Sequence, residues 1–384
     1  MKQFALGELI GPAKTLRAGN SVYPVLSMTM HEGLVDQERR FKKRIASSDL
    51  SEYKVVRRSQ LVVGFPIDEG VLDFQELYPE GIVSPAYGIW DILDDRHVDR
   101  RYLKLFLRSP QALAYYKAKL RGSTARRRSL PNPIFLAQPI PLPPLPEQRR
   151  IAAILDHADA LRAKRRQILT RLETLAQSIF HDMFRELEAD KPLGQVAKIQ
   201  GGLQVSAKRV ALPVEVPYLR VANVHRNKLD LTEVKSLRGT VSEVSRTQLT
   251  DGDLLFVEGH ANPNEVGRVA VWTGAIPGCV HQNHLIRARL NREFINPAFA
   301  TYWFNSERGA QHFRRAGKTT SGLNTISAST VRSAPTPLPS IRSQMEFARS
   351  IDQIGRQRAV EISASEATND LFTSLQARAF RGEL

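Results

Sequence analysis

Three stretches carry side chains at spacings that could do chemistry. Gly317-Lys318-Thr319 resembles the tail of a phosphate-binding loop of the form G-x-x-x-x-G-K-T, whose backbone N–H groups and lysine hold phosphate oxygens. That form needs glycine at 312, and the chain has His312. Lys318 and Thr319 are better read as a basic turn or a contact to a DNA backbone. His281-Gln282-Asn283-His284 sets two histidines three apart. In a β-run they fall on opposite faces, and no third or fourth metal ligand accompanies them. Asp230, Glu233 and Lys235 mimic a nuclease D…ExK set, but the two acids are too close to occupy neighbouring strands, so a solvated strand end is expected. No G-x-G-x-x-G, no Asn/Asp-Pro-Pro-aromatic tetrapeptide and no G-x-S-x-G occurs. The residues therefore predict a chain without catalytic chemistry of its own.

Binding chemistry is better represented. Of 384 residues, 55 are Lys or Arg and 39 Asp or Glu, a net charge of +16. The excess is confined: residues 1–146 hold 22 basic and 15 acidic side chains (+7), and residues 191–336 hold 19 and 10 (+9). Residues 147–190 balance 8 against 8, and residues 337–384 balance 6 against 6. Two basic segments and two neutral ones imply a polyanion for the former and protein for the latter. Arg39-Arg40-Phe41-Lys42-Lys43-Arg44 and Arg126-Arg127-Arg128 are then candidates for phosphate contact, which releases counterions. Gln282 and Asn283 could each contact adenine through the amide or serve a sheet edge structurally.

What must position these groups is set by one repeated unit. Pro141-Leu142-Pro143-Pro144-Leu145-Pro146 should be extended and rigid, and Glu147 to Phe184 has neither Gly nor Pro. Its apolar residues recur at Ile151, Ile154, Ala158, Leu161, Ile168, Leu172, Leu175 and Ile179, with Arg165 in the vacant slot, predicting a long helix with a heptad seam. A copy lies 196 residues on: Pro337-Leu338-Pro339, Gln344, Asp352, Arg358, Leu371, Ser374 and Phe380-Arg381 repeat Pro141-Leu142-Pro143, Gln148, Asp156, Arg162, Leu175, Ser178 and Phe184-Arg185 (344 − 148 = 196). Its seam holds Phe347, Ile354, Leu371 and Leu375, interrupted by Gln357, Glu361 and Thr368, which favours pairing of the two helices within one chain.

The segments before each helix share a plan. β-prone runs at Tyr23–Met28, Val55–Phe65 and Ile82–Ile89 precede a helical stretch from Asp99 to Ala118 that Pro110 should break. In the second segment Asp253-Leu254-Leu255 falls where Gln60-Leu61-Val62 does, and Thr301–Ser306 where Lys104–Ser109 does. The single cysteine, Cys279, excludes an internal disulfide and reads as a buried thiol. With no 18-residue apolar stretch and no secretory run at MKQFALGELIG, a cytoplasmic protein without membrane contact is expected.

The stretches PLPPLPEQRRIAAILDHADALRAKRRQILTRLETLAQSIFHDMF, LFTSLQARAFRGEL, VPYLRVANVHRNKLDL, GDLLFVEGHANPNEVGRVAVW and CVHQNHLIRARL resemble the specificity subunits of type I restriction-modification systems. The resemblance is strong in the repeats and second half and weaker over residues 1–100. It implies an α/β fold: two similar globular target recognition domains, 1–146 and 191–336, separated by two long antiparallel, coiled-coil-like helices, 147–190 and 337–384. Each domain would read half of a bipartite, asymmetric site in double-stranded DNA. The helices would set the gap and dock two methyltransferase subunits, with restriction (translocase) subunits joining. S-adenosylmethionine, ATP and Mg would belong to those partners, and none to this chain. A helix of 38 residues spans roughly 57 Å, comparable with one and a half turns of B-DNA at about 34–36 Å per turn.

Backbone positioning is assigned to Arg126, Arg127, Arg128, Lys318 and Thr319, from the loops before each ladder, and base reading to Arg39, Arg40, Arg226, Asn227, Gln282 and Asn283. Two other functions fit parts of the pattern: a catalytic DNA nuclease, and a scaffold that binds nucleic acid without sequence preference.

Overall fold

A computed structural model describes residues 1–30, 32–40, 49–120, 130–320 and 323–384, with the backbone alone described at 318–320. The chain forms two compact units: residues 1–167 with 363–384, and residues 168–362. The boundaries cut both long helices in mid-length, not at the proline ladders as the 1–146, 147–190, 191–336 and 337–384 division has it. The reason is packing. Each half-helix contributes to the core of a globular part, as Ile151, Leu155 and Phe380 do in the first unit and Phe180, Phe184 and Phe347 in the second.

The first unit is built on an antiparallel sheet in which Ile10–Pro12, Gly88–Ile92, Leu61–Val63 and Leu72–Phe74 lie side by side in that order. The second has Ala197–Gly201, Leu285–Leu290, Leu254–Val257 and Val269–Val271 in the same chain-order arrangement. Register agrees as well: Leu61 faces Trp90 and Phe74, and Leu254 faces Ala288 and Val271. The alignment of Gln60-Leu61-Val62 with Asp253-Leu254-Leu255 is thus a structural equivalence.

Two helices cover each sheet. In the first unit they are Arg100–Leu107, capped by Asp99, whose carboxylate accepts the Tyr102 N–H at 3.0 Å, and Pro110–Lys119, capped by Ser109. In the second they are Pro297–Asn305, capped by Asn296, and Glu307–Ala316, capped by Ser306. The break expected at Pro110 occurs because proline, lacking an N–H, is suited to a first helical turn. The run Val55–Phe65 is two strands and not one. Lys54–Arg57 and Leu61–Val63 are separated at Ser59, whose φ of 73° turns the chain.

The proline ladder is only half extended. Pro139–Leu142 pairs antiparallel with Lys2–Ala5, and the helix Leu145–Phe184 begins inside the ladder, with Pro146 in its first turn. The second long helix is Ile341–Arg381. Their seam differs from the expected one at alternate positions. Ile151, Ala158, Leu172, Ile179, Phe347, Ile354 and Leu375 face inward or lie half-buried as expected, and so does Ile154. Leu161, Ile168, Leu175 and Leu371 are 42%, 38%, 46% and 53% exposed. The less exposed stripe of the central helix runs Ile151, Leu155, Ala158, Arg162, Arg165, Leu169, Leu172, Ala176, Ile179. On a straight helix residue i+4 lies about 40° from residue i and residue i+3 about 60°. With apolar residues at both 154 and 155, and at both 168 and 169, the alternation in sequence admits either solution. In the other helix Arg358 and Phe372 take the slots assigned to Gln357 and Leu371.

Polar residues mark the seam in each unit. In the first, Arg162 donates from Nε to Asn369 at 2.8 Å and lies 4.3 Å over the Phe372 ring. In the second, Arg358 pairs with Glu173 at 2.7 Å. These are the same pair displaced by the repeat, since 162 + 196 = 358 and 173 + 196 = 369.

Candidate nucleic-acid interface

In the second unit one loop is linked to several of the segments that carry expected contact residues. It runs from Glu258 to Glu265 (Glu-Gly-His-Ala-Asn-Pro-Asn-Glu), after the central strand Leu254–Val257. At its start the Glu258 N–H donates to the His284 carbonyl at 3.0 Å, and its carboxylate lies 3.0 Å from His284 Nδ1, beside Gln282 and Asn283. In its middle Gly259–His260 pairs with Leu323–Thr325, which pairs with Lys318–Thr320. At its end the Asn264 carbonyl accepts from Arg226, whose Nε is 3.8 Å from Glu265.

Gln282 and Asn283 sit half-buried at a tight turn closed by the Leu285 N–H on the Gln282 carbonyl at 2.9 Å. Their side-chain amides have no protein partner among the described residues, so they remain able to read an edge of a base. The neighbouring backbone comes unusually close. A Cβ on Gly202 would lie 2.2 Å from the His281 carbonyl oxygen, which is why glycine is needed there.

Arg226 and Asn227 are both held by hydrogen bonds within the unit. Asn305 joins them, accepting from Arg226 Nη1 at 3.4 Å and donating to Asn227 Oδ1 at 2.7 Å and to the Val269 carbonyl at 2.7 Å. Asn227 takes φ 56°, a left-handed turn conformation that asparagine tolerates. In the first unit Arg40 is bidentate to Glu32, at 3.0 and 3.1 Å, while Arg39 is largely exposed with Nε 3.7 Å from Asp36. Arg126, Arg127 and Arg128 lie outside the described residues. Lys318 and Thr319 are in the hairpin strand, where only the backbone is described.

The rejected catalytic sets are accounted for as well. His281 is fully buried, its Nδ1 3.1 Å from the Thr247 carbonyl, and burial pushes its pKa down to about 4. His284 points to Glu258, so the two rings diverge. Glu233 pairs with Arg220 at 2.7 Å, while Asp230 accepts from Thr232, a turn rather than a metal-binding pair. Among the described residues no group of three or more His, Cys, Asp or Glu is gathered for a metal ion, and no helix is long and apolar enough to cross a membrane. Burial pushes the Cys279 thiol up to about 12, so it is not a nucleophile at neutral pH.

The counterpart surface in the first unit has the same frame and other side chains. The turn Gln282–Leu285 corresponds to Ser84–Tyr87, closed by the Tyr87 N–H on the Ser84 carbonyl at 3.1 Å, and Gln-Asn-His becomes Ser-Pro-Ala. The loop after the central strand is Gly64-Phe65-Pro66-Ile67-Asp68-Glu69. His260, Asn262 and Asn324, all placed at the hub loop, escaped the sequence reading, which followed charge runs. The glycine- and asparagine-rich string Gly-His-Ala-Asn-Pro-Asn was the available signal.

The two units are mixed α/β with long helices and differ in their turn and loop side chains, and the comparisons agree with the resemblance seen in sequence. Residues 80–174 match the family model described as "Type I restriction modification DNA specificity domain". The chain is 30% identical over 276 residues to the type I restriction enzyme EcoKI specificity subunit of Escherichia coli (strain K12), covering 64% of this chain and 57% of that protein. It is 28% identical over 267 residues to the StySPI specificity subunit of Salmonella potsdam, again 64% and 57%. The matched region thus spans somewhat over half the length of these relatives. Two solved structures share the fold. One is a chain from a study of complex assembly and conformational transition of a type I R-M system (TM-score 0.63, 16% identity, 100% of this chain and 98% of that one). The other is a type I S subunit from M. genitalium (TM-score 0.54, 11% identity, 99% and 96%).

Proposed function

We propose that the chain is a DNA sequence-specificity subunit of a type I restriction-modification complex, without catalytic activity of its own. Its two basic units are target recognition domains, each reading one half of a bipartite, asymmetric site. The observation that carries this reading is one sheet order, register and helix pairing used twice, with the turn and hub-loop side chains changed between copies. A duplication serving one ligand would have no need to exchange Gln282-Asn283-His284 for Ser84-Pro85-Ala86 while keeping the turn.

The neutral long helices are the docking surface for methyltransferase subunits, and restriction subunits join through them. Leu161 in the first unit and Ile168 and Leu175 in the second, apolar yet exposed, are suited to such contacts. S-adenosylmethionine, ATP and Mg act on those partners, in the cytoplasm. Co-expression with a methyltransferase subunit, followed by mapping of methylated adenines, tests the reading. A split motif is expected, and methylation without a bipartite motif refutes it. Metal-dependent cleavage of DNA by the purified chain alone would instead establish the nuclease alternative.

A further inference from the structure

Gln148 and Gln344, equivalent in the repeat, are both fully buried one turn into a long helix. Gln148 Nε2 donates to the His97 and Pro143 carbonyls, both at 2.8 Å, and its Oε1 accepts the Asp99 N–H at 2.8 Å. Gln344 does the same, donating to the Phe294 carbonyl at 3.0 Å and the Pro339 carbonyl at 2.9 Å while accepting the Asn296 N–H at 2.8 Å. Each amide thus joins three things within its own unit: the end of a proline ladder, the start of a long helix, and the capping residue of the first helix on the sheet.

Only glutamine supplies this pattern. Two donors and one acceptor are needed at the reach of three methylene and carbonyl carbons, and glutamate would present an oxygen to two carbonyls. A buried amide with every donor used holds one geometry, because any rotation of the helix against the sheet strands a polar group away from water. General stability is already supplied nearby by apolar packing of Ile151 and Phe347. We infer that Gln148 and Gln344 are positioning residues that fix the direction in which each long helix leaves its own unit, and so set the gap the protein accepts between two half-sites. The inference rests on the DNA-reading proposal.

The test is selection of bound DNA from a randomised pool by the full chain, comparing wild type, Gln148→Met, Gln344→Met and Asp99→Asn. Methionine keeps length and helix propensity but removes all three hydrogen bonds. Asp99→Asn keeps the cap in the form Asn296 uses and is expected to leave the selected sites unchanged. In wild type, a gap wrong by one base pair should cost about tenfold or more in affinity, the scale of a mismatched pair, and either methionine variant should lower that to about threefold while both half-motifs stay the same. A variant that melts earlier yet keeps the single gap overturns the inference, as does a pair of methionine variants neither of which folds, since either result makes the amides structural only. A wild-type pool without any split motif overturns the DNA reading itself.

Discussion

Lowering the pH should weaken the second unit through a single side chain. His281 is fully buried, with Nε2 lacking a partner and the buried Arg287 guanidinium close enough to oppose its protonation. Its pKa falls from 6.5 to about 4 in the folded protein, chiefly through desolvation. The unfolded chain therefore takes up a proton as pH falls below 6.5, and the folded chain does not until about 4. Stability is complete above the unfolded value, is lost as pH falls between the two, and loses nothing more below. At about 1.36 kcal/mol for each pH unit between the two values, the full loss is roughly 3 kcal/mol, of which about 2 kcal/mol should be gone by pH 5. Other titrations fall elsewhere. Glu243, held down to about 2 by Arg209, acts only below the ordinary carboxylate range, and Asp156, raised by burial, acts in the opposite direction and in the other unit. The assay is urea unfolding between pH 7.5 and 5.0 in a Trp90→Phe background, which leaves Trp272 and Trp303, both in the second unit, as reporters. His281→Asn should be less stable at pH 7.5 but nearly flat down to pH 5. If the variant kept the wild-type slope, His281 would not be the group responsible and the reasoning from burial would fail.

Two further outcomes follow from local geometry. Gly202→Ala should destabilise the second unit by about 3 kcal/mol or more, because the new Cβ meets backbone oxygens at 2.2 and 2.3 Å that cannot yield. Gly201→Ala, with open space around it, should be nearly neutral, and thermal melts of the two variants check the contrast. A double-mutant cycle on Arg358 and Glu173 should give a coupling below about 1 kcal/mol, since Glu173 is 60% exposed and solvent screens the pair. A coupling several times larger, measured by urea unfolding, would make this contact a buried-type ion pair.

The first long helix was legible because neither Gly nor Pro falls between Glu147 and Phe184, the second because it repeats the first 196 residues on, and the first helix pair because Pro110 breaks the run from Asp99 to Ala118. The equivalence of Leu61 and Leu254 could be read because flanking residues repeat in order, while their strand partners could not. The seam was misread at alternate positions for a physical reason: adjacent apolar residues at 154 and 155 leave the choice between them to the partner helix, which local periodicity does not contain. Ser59 was missed because a positive φ at serine has no strong signature. Gln344 was matched to Gln148 by the repeat, yet its role depends on the Phe294 carbonyl and the Asn296 N–H, about 50 residues earlier in the chain, where no pattern of spacing points. In the candidate site, the turn that carries Gln282 and Asn283 is tied to the loop 258–265 through His284, the strand that carries Lys318 and Thr319 is joined to it through Leu323–Thr325, and Arg226 bonds its Asn264 carbonyl, while Asn227 bonds Asn305.

What is kept and what is changed between the two units separates frame from reading surface. Both amide joints are kept to within a few tenths of an ångström, both helix caps are Asx and then Ser, and both third strands start in the same register. At the turns the chemistry is exchanged wholesale, from Ser-Pro-Ala to Gln-Asn-His, and the loop after the third strand goes from Phe-Pro-Ile to His-Ala-Asn. The Gln282 and Asn283 side chains have no hydrogen-bond partner among the described residues, so they can vary at less cost in stability than a buried amide with three partners. Altering Gln282 or Asn283 should therefore change which sequence is bound and leave the fold standing, whereas altering the joints should change geometry and leave the half-site sequence preference intact.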